Sequence, residues 1–167
     1  MVGSTVSYAR VPRDSHPPDN FWRGRARTSV RVTLLLCDSA QAVGDKLYIL
    51  GAGWAFTGPV IGPMALAILV SVPWTETNAP HNFRVEMVDV DGQPIRVDND
   101  PVLIEGTLEV GRPPGHPAGT PINIPLAFNI PSLALPAGQR FVWRVSIDGT
   151  SREEWEVAFN TRPAPPA

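Results

Sequence analysis

The stretch that most constrains this chain lies between Pro63 and Pro73. It reads Met64-Ala65-Leu66-Ala67-Ile68-Leu69-Val70-Ser71-Val72. The even positions are bulky and apolar, and most of the odd ones (Ala65, Ala67, Ser71) are small. A strand sends alternate side chains to opposite faces. One face therefore calls for a deep core, and the other for a neighbour lying close. That is the pattern of a central strand in an antiparallel sheet. Leu69 is the large residue on the small side, so the Ala65–Ala67–Leu69 face is expected to be covered by the N-terminal arm or a second subunit.

Further strands are expected at Arg31–Cys37, Lys46–Phe56, Phe83–Val90, Gln93–Val97, Leu103–Val110, Pro121–Pro131, Phe141–Asp148 and Trp155–Phe159. Phe83, Val85 and Met87 alternate with Arg84 and Glu86, and Phe141, Trp143, Val145 and Ile147 alternate as cleanly. These two sets are the natural partners of the heavy face. Asp91-Gly92 and Asp148-Gly149 are hairpin signals. Pro125 inside an alternating run points to a sheet edge. Asp38 is expected to cap a single helical turn, Gly44-Asp45 to supply a turn before the next strand, and Trp74–Asn78 to form another short helical turn. Nineteen prolines and fourteen glycines in 167 residues disfavour long helices. The expectation is an all-β, antiparallel two-sheet β-sandwich of seven to nine strands, immunoglobulin- or C2-like.

The chain divides into an irregular basic arm (1–29), a sandwich domain (30–161) and a Pro-rich tail (162–167). Residues 1–31 carry six arginines against two aspartates, whereas the remainder has eight basic and fourteen acidic residues. Phe21, Trp22, Arg23 and Arg25 in the arm are expected to bind a protein partner, with Trp22 as anchor. Nucleic acid is a weak alternative, because one short basic run carries no recognition motif. No apolar leader and no run near the ~18 residues of a membrane span is present. The single cysteine, Cys37, follows three leucines and is expected to be a core thiol. A cytoplasmic location follows as the default.

Leu36-Cys37-Asp38-Ser39-Ala40-Gln41 with Gly44–Trp54, and the later Phe141-Val142-Trp143-Arg144-Val145-Ser146-Ile147-Asp148-Gly149, resemble a family of uncharacterised bacterial proteins common in actinobacteria. The resemblance covers about residues 30–161. It implies a β-sandwich domain of unknown function and brings no catalytic residues.

The chemistry-bearing residues form no catalytic constellation. His16, His81 and His116 are expected in proline-containing loops, without a second ligand at zinc spacing. There is no Gly-x-Ser-x-Gly elbow, and Gly51-Ala52-Gly53 lacks the third glycine of a dinucleotide fingerprint. Asp91, Asp98 and Asp100 are weak calcium candidates in acidic loops. Trp54 and Trp74 are weak candidates for a carbohydrate platform. No cofactor is expected. The leading reading is a non-enzymatic interaction module, self-associating or binding another protein. The alternative is a module that binds sugar or calcium.

Overall fold

The computed structural model describes residues 29–58 and 60–164. The chain is nearly all-β, with several sheets and no α-helix among the described residues. In order, the strands are β1 (Arg31–Cys37), β2 (Ser39–Val43), β3 (Lys46–Leu50), β4 (Phe56–Thr57), β5 (Val60–Ile61), β6 (Met64–Val72) and β7 (Pro80–Val88). They continue with β8 (Arg96–Val97), β9 (Asp100–Pro101), β10 (Leu103–Glu109), β11 (Ile122–Ile130), β12 (Leu133–Ala134), β13 (Arg140–Ile147) and β14 (Thr150–Thr161). A single 3₁₀ turn, Trp74–Glu76, follows β6.

β6 is the middle of a three-stranded antiparallel sheet, β1-β6-β11. A five-stranded sheet runs β10-β7-β13-β14-β4, antiparallel except for the short parallel pairing of β4 on β14. The heavy face of β6 meets Phe83, Val85, Met87, Phe141, Trp143, Val145 and Ile147 in one buried cluster, which joins both sheets. Trp155 and Phe159 complete it from β14. Burying a large apolar side chain contributes about 1.5–3 kcal/mol, so this cluster dominates the fold's stability. Pro125 lies on β11, an edge of the smaller sheet, where a missing donor costs no central ladder bond.

Three local expectations change. The segment after Asp38 is a strand and not a helical turn, while Gly44–Asp45 is the expected turn. Ser39–Val43 pairs with Lys46–Leu50 around Gly44–Asp45, from Val43↔Lys46 out to Ser39↔Leu50. β3 ends at Leu50 instead of running to Phe56, because Gly51 turns to φ +65° with Asp38 packed where a Cβ would stand. The final strand starts at Thr150, five residues before Trp155, and a bulge between Arg144 and Ser146 absorbs the register change.

The Ala65–Ala67–Leu69 face is covered from within the chain. The hairpin β2–β3 lies over β6 and β11, and Cys37, Ala40, Ala65 and Ala67 form a second buried cluster with Leu47 and Ala127 against it. Small side chains make this possible, since backbones approach closely only where there is little to displace. Leu69 remains half-buried beyond the hairpin.

Candidate interaction surface

The hairpin β2–β3 is tied down at one point far away in sequence. The Asn129 amide donates from Nδ2 to the Ala40 carbonyl at 2.9 Å and accepts the Ala40 N–H at Oδ1, 3.3 Å. One side chain thus satisfies both outward backbone groups of Ala40. Ala40, Ala42, Leu47 and Ile49 share the hairpin's inner face by register; Ser39, Gln41, Val43, Lys46, Tyr48 and Leu50 share the outer one. Three of those outer residues are large, apolar and solvent-facing: Val43 is 57% exposed, Tyr48 57% and Leu50 70%. Leu35 on β1, Ile49 on the other face of β3, Phe56 on β4 and Val90 on the turn after β7 are exposed as well. Single exposed apolar residues are ordinary, but a group on one element marks contact with something else.

The outer face of the five-stranded sheet is of opposite character. Arg84 bonds Glu86 at 2.9 Å and Glu105 at 3.0 Å, and Arg144 bonds Glu156 at 2.6 Å. Register places these charges in cross-strand rows over β10, β7, β13 and β14. A depression of about 280 Å³ there is lined by Asn82, Arg84, Ser146 and Gly149. Its arginine is already held by two carboxylates, so this face is a solvated charge ladder.

Trp54 and Trp74 do not share a surface. Gly53 N–H bonds Leu36 O, which places Trp54 near Leu66, the residue paired with Leu36. Trp74 follows Val72, about 20 Å along the strand. Trp54 packs edge-on against Phe159 at 5.7 Å, its indole N–H buried without a hydrogen-bond partner. Trp74 has the His116 ring stacked 6.1 Å away and the Arg112 guanidinium 4.5 Å from its centroid. Arg112 also bonds Thr77 Oγ1 and Trp74 O, at 2.8 and 3.0 Å. Neither indole is left as an open platform for a sugar ring.

The acidic loops are turns. Asp89 accepts the N–H groups of Asp91 and Gln93 at 2.9 and 2.8 Å, which spends its carboxylate on the backbone. Asp98 and Asn99 have φ +52° and +69°, the conformation of a two-residue hairpin turn between β8 and β9. Arg96 caps it through Asn99 O at 2.9 Å. Among the described residues no three of His, Cys, Asp and Glu converge on a metal position. Asp91, Asp98 and Asp100 are therefore not gathered into a calcium site.

One polar constellation escaped the sequence reading. His81 lies on β7, 4% exposed, not in a loop. Its Nδ1 meets Asp148 Oδ2 at 2.7 Å and its Nε2 meets Glu76 O at 2.9 Å. Asp148 also accepts the Asn82 N–H at 3.0 Å. A carbonyl can only accept, so Nε2 carries a proton. Both ring nitrogens are occupied, and neither is open to take a proton from a substrate. The signal was phase: His81 stands in register with Phe83, Val85 and Met87. Cys37 is fully buried, its Sγ 3.3 Å from Ala65 O, and burial, followed by the neighbouring Asp38 charge, pushes its thiol pKa up. It has the character of a structural thiol.

Phe21, Trp22, Arg23 and Arg25 lie outside the described residues. No helix among the described residues is long and apolar enough to cross a membrane.

The class this geometry defines is an all-β chain with several sheets and an apolar hairpin on its outside. A family model described as a family of unknown function (DUF6941) matches residues 32–159. The chain belongs to that family. No curated protein and no solved structure matches it.

Proposed function

We propose that this chain is a non-enzymatic β-sandwich module, immunoglobulin-like in type and cytoplasmic, that works through protein–protein contact. Hairpin β2–β3 supplies the contact surface, and the basic arm supplies further anchors through Phe21, Trp22, Arg23 and Arg25. The observation that carries this reading is the joint exposure of Val43, Tyr48 and Leu50 on one small sheet. Two sheets facing one core support the sandwich. The engagement of both His81 nitrogens in structure supports a role other than catalysis.

The test compares co-purification by the full chain, by the double variant Tyr48→Lys/Leu50→Lys, and by a chain lacking residues 1–29. The expected result is loss of captured protein with the double variant and reduced capture without the arm, at unchanged melting temperature. Equal capture by all three sinks the reading.

A further inference from the structure

We infer that the open edge of β3 pairs with the same edge of a second copy, as an antiparallel β3–β3 ribbon with its two-fold axis at Tyr48. This rests on the hairpin being a contact surface, and it names the occupant.

The argument begins with the two edges of the hairpin. Val43↔Lys46 closes the two-residue turn, so backbone groups of Lys46, Tyr48 and Leu50 face β2. Those of Leu47 and Ile49 face away. On β2 the corresponding outward groups belong to Ala40 and Ala42, and Asn129 holds both of those of Ala40. Among the described residues no strand flanks β3 on its far side. Lys46-Leu47-Tyr48-Ile49-Leu50 contains no proline, and its only charge is at the end. Those are the devices that ordinarily blunt an edge. Other edges carry them. Pro125 removes a donor from β11, β4 is two residues long, and β10 bears Glu105 and Glu109. β1 is crossed by Gly53, bonded to Leu36 O.

The strand is also complementary to itself. An axis at Tyr48 sets Leu47 of one copy opposite Ile49 of the other, twice. Both are residues with outward backbone groups, so each pair exchanges two N–H···O bonds. Lys46 of one copy then lies opposite Leu50 of the other. Lys46 can lay its aliphatic stem along that Leu50, which is 70% exposed, and symmetry repeats the contact. The pairing is isologous and uses each copy's β3 edge once, so it closes at two copies.

Sedimentation equilibrium on the full chain tests this. The expected result is a concentration-dependent dimer that Ile49→Pro weakens at least roughly tenfold, since the lost N–H serves no bond inside the hairpin. The register is tested separately by cysteine cross-linking under mild oxidation. Tyr48→Cys sits on the axis, where facing Cα atoms are about 4.5 Å apart, close enough for a disulfide. It should trap the dimer, and Leu50→Cys, facing Lys46, should not. A chain that is monomeric throughout, or equal trapping at both positions, overturns the inference. A monomer that still captures another protein through Tyr48 and Leu50 overturns the pairing alone and leaves the contact-surface reading standing.

Discussion

The Asn129 side chain holds Ala40 as a neighbouring strand would, with one bond to its carbonyl at 2.9 Å and one from its N–H at 3.3 Å. The two residues are 89 positions apart. This contact joins the outermost hairpin to the edge of the three-stranded sheet.

Replacing Asn129 by Leu should therefore act locally. It leaves two part-buried backbone groups unpaired, at a cost of about 1–3 kcal/mol. Hydrogen exchange should accelerate at Ala40 and along Ser39–Val43, while amides of β13 keep their protection. Equal acceleration in both places would mean that the hairpin is not a separate unit.

Gly106 stands opposite Phe83, and a Cβ there would come within 2.7 Å of the Phe83 ring. Glycine in a strand normally costs stability relative to alanine. Here the ring cannot yield easily, because Phe83 is buried and packs 5.9 Å from Phe128. Gly106→Ala should destabilise by about 1–3 kcal/mol. A denaturant midpoint at or above that of the native chain would refute this.

The His81–Asp148 pair is buried, with side-chain exposures of 5% and 7%. His81→Leu removes one partner and leaves the buried Asp148 carboxylate with fewer hydrogen bonds, the Asn82 N–H among those kept, so a loss of about 1–3 kcal/mol is expected. Adding Asp148→Asn should recover part of it. A double-mutant cycle showing less than about 0.5 kcal/mol of coupling would deny the pair that role. Arg84→Ala, by contrast, removes two ion pairs from an exposed face and should cost no more than about 1 kcal/mol.

Burial raises the Cys37 pKa from the ordinary 9.0. The folded state therefore keeps its proton where the unfolded chain loses it. The corresponding stability is complete below pH 9.0 and is lost as pH rises through the folded value. Cys37→Ala should flatten the alkaline part of the stability curve. Native Cys37 should also react with a thiol reagent only as fast as the chain opens, and rapid labelling at neutral pH would contradict its burial.

Much of the core was legible because it is periodic. Met64–Val72, Phe83–Met87 and Phe141–Ile147 declare their inward faces by alternation alone, and Pro125 marks its edge. β2 was not legible. Ser39-Ala40-Gln41-Ala42 has no strand preference of its own, and its conformation is imposed by β3 and by Asn129. His81 was missed because its partner lies 67 residues on. The apolar hairpin surface was hidden for the same reason: Tyr48 and Leu50 read as ordinary strand residues until the inner face of their own small sheet is known.

The alanine floor beneath the hairpin carries one more consequence. Ala65, Ala67 and Ala127 set the height at which β2–β3 rides above the sheet. A bulkier residue there would tilt the whole hairpin and reposition Tyr48 without touching it. Variation in a sealed interior would then register as altered partner choice, so the contact properties of this molecule are tuned from underneath.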